Sequence, residues 1–333
     1  MAFDAVLLLS FGGPEGPDDV MPFLRNVVRG RPVPPERLDQ VAAHYHLFGG
    51  VSPINAANRA LREAISSALL TRGRSLPVYW GNRNWHPLLT DTVRAMRDDG
   101  VRRAAAFVTS AYSSYSSCRQ YLDDIDTARA AVGPGGPEIV KLRPYFNHPG
   151  FVRPLAAGLR AARLEAGPDA PVLMTAHSIP VAQAATCRYE LELAEAARLV
   201  AADAGEPDGS WQLVYQSRSG PPGQPWLGPD IDDAIGALSD TVRSVVVVPL
   251  GFVSSHMEVV FDLDRQAAAT ADKRGMKMVR SATPGSHPDF AVMVAQLVEE
   301  MEDAGPAISL GSLGPAPCPC HPGCCPGPLH SRG

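Results

Sequence analysis

Two stretches of this 333-residue chain end apolar runs in side chains that can move protons or hold a metal ion. One is Val172-Leu-Met-Thr-Ala-His177-Ser-Ile-Pro180. The other is Val245-Val-Val-Val-Pro-Leu-Gly-Phe-Val253, followed by Ser254-Ser-His256-Met-Glu258. Short apolar runs of this kind read as buried strands, and Pro180 keeps a helix from starting at once. His177 is therefore expected on the loop just past its strand, at the C-terminal edge where open parallel sheets bind ligands. If both strands share a sheet, Glu258 reaches the same rim. A histidine after a strand is often only a hydrogen-bonded rim residue, and an acid at a helix N-terminus is often only a cap. Together, however, an imidazole and a carboxylate can bind a divalent cation or pass protons between them. Asp262, four residues after Glu258, projects from the same helix face and extends the acidic line outward. One histidine and one glutamate are too few for a permanent zinc ion. Transient handling of a metal fits better.

Other stretches offer binding chemistry. Tyr215-Gln-Ser-Arg218 opens a proline-rich loop that reaches Trp226, suited to a flat aromatic or anionic ligand and equally to a structural lid. Arg29, Arg31 and Tyr121 add candidate anion and aromatic contacts. Gly12-Gly-Pro-Glu-Gly-Pro17 resembles a phosphate loop but lacks the dinucleotide spacing, and its prolines remove backbone donors. It reads as a tight turn into a helix. Six cysteines are unevenly spread: Cys118 and Cys187 alone, then Cys318, Cys320, Cys324 and Cys325 together near the C-terminus. Such a cluster points to a metal site more than to a disulfide framework.

These residues need elements to position them. Eight β-like runs alternate with amphipathic helical segments. The runs are Ala5–Ser10, Pro77–Trp80, Arg103–Thr109, Glu138–Leu142, Pro171–Thr175, Trp211–Gln216, Ser244–Leu250 and Met276–Arg280. Helical patterns include Pro35–Phe48, Asn55–Leu70, Pro87–Asp99, His148–Glu165, Tyr189–Ala204, Val259–Lys273 and Pro288–Asp303. Alternation predicts an α/β protein: two similar Rossmann-like, doubly wound lobes, each a four-stranded parallel sheet flanked by helices. The expected boundaries are 1–145 for the first lobe, with helix 288–303 packing back on it, and 146–287 for the second. Residues 305–333 form a Cys/Pro-rich tail without helical or strand period.

Composition narrows the class. A net charge of −5 argues against a nucleic-acid surface. The longest apolar run, about nine residues, falls far short of a membrane span. No signal peptide is visible, so a cytoplasmic protein is expected.

With these pieces assembled, the chain resembles the ferrochelatases from about residue 4 to residue 303. The matching pieces are Leu8-Leu-Ser-Phe-Gly-Gly-Pro14, Phe48-Gly-Gly-Val-Ser-Pro-Ile54, Gly81-Asn-Arg-Asn-Trp85, Thr175-Ala-His-Ser-Ile-Pro180, Tyr215-Gln-Ser-Arg218 and Gly251-Phe-Val-Ser-Ser-His-Met-Glu258. The resemblance is strongest to the actinobacterial branch that inserts ferrous iron into coproporphyrin III. It implies a porphyrin cleft between the lobes, with porphyrin and Fe²⁺ as substrates and a later haem-pathway enzyme as the taker of product. It puts the family's metal-site histidine on His177 and its acidic partner on Glu258, and porphyrin contacts on Ser52, Tyr121 and Tyr45. Phe11 stands where some members carry tyrosine. Val28 stands where some carry a porphyrin-contacting arginine, with Arg29 and Arg31 flanking it. No cofactor is required for the chemistry. The tail matches those that bind a [2Fe–2S] cluster, here through Cys318, Cys320 and Cys325. The usual helix ligand falls on Pro154, which leaves Cys324 as the substitute. Zinc with His321, or a thiol tail without metal, are the alternatives. Protoporphyrin IX as substrate, another tetrapyrrole chelatase, and a non-catalytic haem or iron carrier are the rival functions.

Overall fold

In the computed structural model, the described residues are 2–221, 223–303, 305–321 and 323–327. Eight strands form where apolar runs were found: β1 (Ala5–Ser10), β2 (Val78–Asn82), β3 (Arg103–Val108), β4 (Glu138–Lys141), β5 (Val172–His177), β6 (Trp211–Gln216), β7 (Ser244–Val248) and β8 (Lys277–Arg280). They make two four-stranded sheets, ordered β2-β1-β3-β4 and β6-β5-β7-β8. Every pairing is parallel. A central strand must be covered on both faces, and β1 is buried along its whole length. The helices that cover the sheets are α1 (Val20–Val27), α2 (Pro35–His46), α3 (Ile54–Thr71), α4 (Leu89–Asp98), α5 (Gln120–Val132), α6 (Pro149–Ala166), α7 (Val181–Ala184), α8 (Tyr189–Ala204), α9 (Ile231–Gly236), α10 (Met257–Val260), α11 (Ala268–Lys273) and α12 (Pro288–Asp303).

The chain divides into two compact units, and their boundaries differ from the expected ones. The first comprises Met1–Thr109, Asp123–Leu142 and Ser254–Met257, and the second Ser110–Leu122, Arg143–Val253 and Glu258–Gly333. Residues 110–122 join the second unit because Tyr112 is buried among aromatic rings there. Its ring centroid lies 6.4 Å from Phe146, 6.0 Å from Phe151 and 6.0 Å from Tyr189. Helix α12, expected with the first lobe, is grouped with the second unit. Phe290 meets Tyr145 edge to face at 5.9 Å, and Glu300 forms a buried ion pair with Arg143 at 2.8 Å. Among its described residues the tail has no regular structure, yet polar side chains hold it to this unit. Arg143 donates to the Ile308 carbonyl at 2.7 Å, and Asn147 donates to the carbonyls of Leu310 and Gly314.

Two local departures matter for the site. His177 is the last residue of β5, not a loop residue, because it still pairs with Gln216 of β6. The single helix expected over Val259–Lys273 is broken by a π-type turn at Asp262–Ala267. The cause is visible in the core, where Val259, Leu263, Ala267 and Ala271 are all fully buried at a spacing of four. A regular α-helix has 3.6 residues per turn and would rotate such a row off the core. The wider turn keeps it facing inward.

Helix α6 starts with Pro149 behind His148, whose Nδ1 accepts from the Gly150 N–H at 3.0 Å. Burial, aided by the Arg143 charge, lowers the His148 pKa to about 4, so this cap is a neutral imidazole at pH 7. Gly150 is required by the close approach of α12. A Cβ there would sit 2.6 Å from Met293 Cβ and 2.7 Å from the Asp289 carbonyl oxygen. Gly150→Ala should destabilise the protein by about 2 kcal/mol in urea unfolding. Adding Met293→Ala should not restore it, since the backbone clash remains.

Candidate functional site

In the second sheet, β5 and β7 are neighbours, and the order of strands reverses between them. Ligands bind outside the carboxyl ends of strands at such a switch point. His177 ends β5, and the chain leaving β7 carries Glu258 on α10. Gly251 fits this corner because it lacks a side chain: a Cβ would lie 2.8 Å from Ala176 Cα. The result is His177 Nε2 at 3.4 Å from Glu258 Oε1, with 32% and 46% of the two side chains exposed.

Several contacts fix the pair. Nδ1 of His177 donates to the Ser178 carbonyl at 2.5 Å. Gln216 Nε2 donates to the Glu258 carbonyl at 2.6 Å. Ser217, at a left-handed φ of 62°, donates its hydroxyl to the Asp262 carboxylate. Beyond His177, Ser178 donates to the Leu227 carbonyl at 2.7 Å, and Leu227 N–H to the Ile179 carbonyl at 3.0 Å. The Pro-rich loop after β6 thus braces the segment that follows the histidine. Trp226 packs across Gly220 of the same loop.

Electrostatics follow from this geometry. Loss of water pushes the His177 pKa down, but the Glu258 charge, its hydrogen bond, the Ser178 carbonyl and the Asp262 charge outweigh that and raise it to about 9. The ring therefore rests as an imidazolium at neutral pH. Burial raises the Asp262 pKa to about 6, against the Ser217 hydrogen bond and with the Glu258 charge adding to the rise.

The expected porphyrin contacts are distributed over both units. In the first, Phe11 and Tyr45 meet around Phe23, with ring centroids at 6.1 and 5.7 Å. Trp85 completes that cluster at 6.3 Å. The Arg83 guanidinium lies 5.8 Å from the Phe11 ring centre and pairs closely with Asp124. Ser52 is buried against Gly13, and its N–H donates to the Pro14 carbonyl at 2.9 Å. Arg29 and Arg31 are exposed just past α1, and Arg29 donates to Asn26 at 2.6 Å. Tyr121 belongs to the second unit and is 5% exposed, so at most an edge of its ring can meet a ligand. Phe23, Asp124 and Gln216 escaped the sequence reading as site residues. Phe23 had a signal in its place on the apolar face of α1, whereas the Arg83–Asp124 pairing had none.

The family model for ferrochelatases matches residues 3–302. The chain belongs to the ferrochelatase family. Coproporphyrin III ferrochelatase of Mycobacteroides abscessus is 52% identical, with 98% of each chain covered. The protein of the same name from Mycobacterium avium is 52% identical over the same shares. A ferrochelatase from Rhodopirellula baltica is 51% identical, covering 97% of this chain and 93% of its own. Among solved structures, the sirohydrochlorin chelatase SirB of Bacillus subtilis in complex with cobalt overlays with a TM-score of 0.52 at 10% identity, covering 90% and 95% of the two chains. That overlay confirms the chelatase-like α/β fold.

For a ferrochelatase, iron is a substrate, and the tail cysteines are a separate matter. The expected [2Fe–2S] ligands are Cys318, Cys320, Cys324 and Cys325. The helix position is Pro154, buried in α6. Among the described residues, no group of three or more Cys, His, Asp or Glu side chains could hold a metal ion. Cys320 Sγ lies 3.6 Å from the Pro317 carbonyl. His321 Nδ1 accepts from the Gly323 N–H at 3.2 Å and closes a local turn. Cys325 is buried, and burial with the nearby Cys324, Cys118 and Cys187 pushes its thiol pKa far up.

Metal binding at His177 requires the neutral ring. Below about 9, Co²⁺ affinity of the porphyrin-free protein should fall about tenfold per pH unit as the imidazolium forms. In Glu258→Gln, burial is opposed only by the Ser178 carbonyl and the weaker Asp262 charge. The pH-dependent limb should then drop to the ordinary histidine range of about 6.5 or below. Co²⁺ absorbance titrations across pH measure both limbs.

Proposed function

We propose that this member of the ferrochelatase family inserts ferrous iron into coproporphyrin III, forming Fe-coproporphyrin III and releasing two protons, in haem biosynthesis. The observation that carries the reaction is the His177–Glu258 pair, in ion-pair contact at 3.4 Å at a sheet's switch point. The substrate is argued from the two mycobacterial relatives, each named for coproporphyrin III and similar over nearly the full length.

The pair accounts for the proton bookkeeping. Two pyrrole N–H protons must leave as Fe²⁺ enters. Glu258 is the principal force holding the proton on His177. A dication arriving at Glu258 cancels that force, so the imidazole releases its proton as the metal comes in. The neutral Nε2 is then free to hold the iron or to accept a pyrrole proton. Asp262, with its pKa near 6, is matched to take up a proton at neutral pH and pass it to water. Ser217 holds that carboxylate in place. Phe11, Tyr45, Ser52, Tyr121, Arg29 and Arg31 are assigned to the porphyrin, the arginines to its propionates. Uneven grip on a flat macrocycle bends it and exposes the nitrogen lone pairs, using binding energy for distortion.

A cytoplasmic setting belongs to this reading. No helix among the described residues is long and apolar enough to cross a membrane, and the described cysteines form no disulfide. The product requires a consumer that acts on its propionate side chains or transfers the metallated ring.

The deciding assay is anaerobic Fe²⁺ insertion, with coproporphyrin III and protoporphyrin IX compared directly. Coproporphyrin III should be turned over with the higher kcat/KM. His177→Ala should lose at least about 100-fold in kcat, while its circular dichroism and Tm stay near wild type. Wild-type turnover in that variant would end the assignment, and coprohaem binding without turnover would point to a carrier.

A further inference from the structure

The two strand ends that carry the pair leave the sheet with carbonyl groups that the ladder no longer satisfies. The β5–β7 register stops at Met174 and Val248, short of both His177 and Leu250. Two buried phenols take over. Tyr189 donates its hydroxyl to the His177 carbonyl at 2.9 Å. Tyr112 donates its hydroxyl to the Leu250 carbonyl at 2.9 Å. The two rings meet edge to face, with centroids 6.0 Å apart. One helix face locks them together. Glu192, fully buried three residues after Tyr189 on α8, accepts from the Ser113 N–H at 2.7 Å and from the Ser113 hydroxyl at 2.8 Å. It thereby pins the residue next to Tyr112. A continuous chain of contacts runs from His177 through Tyr189, Tyr112 and Leu250 toward the segment that carries Glu258.

We propose that Tyr189 and Tyr112 are positioning residues for the iron-handling pair, setting the separation of His177 and Glu258 by capping the two strand ends that carry them. The inference rests on the assignment of His177 and Glu258 made above. Neither phenol hydroxyl needs to touch substrate, since each is committed to a backbone carbonyl. Burial, reinforced by neighbouring phenols and carboxylates, keeps both phenols protonated and therefore donors. Groups that hold metal-handling side chains from behind change affinity or activity by about 10- to 100-fold when removed.

The test is Tyr189→Phe, which removes one oxygen and keeps the ring. Its kcat for Fe²⁺ insertion should fall about tenfold, with the porphyrin KM within about twofold of wild type. Its alkaline pH limb should move down by about one unit or more, because a displaced Glu258 supports the imidazolium less. Tyr112→Phe should shift the limb in the same direction, and it serves if Tyr189→Phe does not fold. Co²⁺ binding across pH reads the same limb without turnover. A lowered Tm with an unmoved limb, or wild-type rate and limb together, would overturn the positioning role. An active His177→Ala would instead overturn the underlying site assignment. An inactive His177→Ala beside an unaltered Tyr189→Phe would overturn the brace alone.

Discussion

The imidazole of His177 stands between two opposed forces: removal from water, which disfavours its charge, and a carboxylate at 3.4 Å, which demands it. Desolvation is the largest single force on the ring, and it is outweighed only because the Glu258 attraction is joined by the Glu258 hydrogen bond, the Ser178 carbonyl and the Asp262 charge. The outcome is a ring charged at rest and poised to give up its proton when a cation replaces it. Everything in the second sheet serves this balance. Four parallel strands bring β5 and β7 side by side, Gly251 lets the exit from β7 graze β5, and Gln216 holds the carbonyl of Glu258. A shift of either strand end weakens the attraction without relieving the desolvation.

Much of this was legible in the sequence because its signals are local. Strand positions follow from β-branched and apolar runs bounded by turn residues, and the eight runs found that way became the eight strands. His177 and Glu258 stood out because each follows such a run. The error of taking His177 as a loop residue arose because pairing with Gln216 depends on a partner strand nearly forty positions away. The broken helix after Glu258 is different. Its row of Val259, Leu263, Ala267 and Ala271 at a spacing of four is written in the sequence, but only burial on one side reveals that the row must stay aligned.

What could not be read was mostly long-range polar pairing. Tyr189 and Tyr112 look like ordinary core aromatics, and nothing in their neighbourhoods announces the carbonyls they cap. The grouping of α12 with the second unit depends on Arg143 finding Glu300, far along the chain. The tail shows a different limit. Four cysteines within eight residues suggest a shared ligand site, yet the fold turns Cys325 inward and leaves Cys320 on a local carbonyl. Spacing alone cannot say which way a thiol faces.

The short contact from His177 Nδ1 to the Ser178 carbonyl has a further consequence. A carbonyl oxygen can only accept, so that nitrogen must keep its hydrogen in every protonation state. When the ring is neutral it therefore exists as one tautomer, with its lone pair on Nε2 and directed to the Glu258 side. The usual ambiguity of a histidine ring is removed by the backbone of the next residue, and the direction of proton exchange is settled before any substrate arrives.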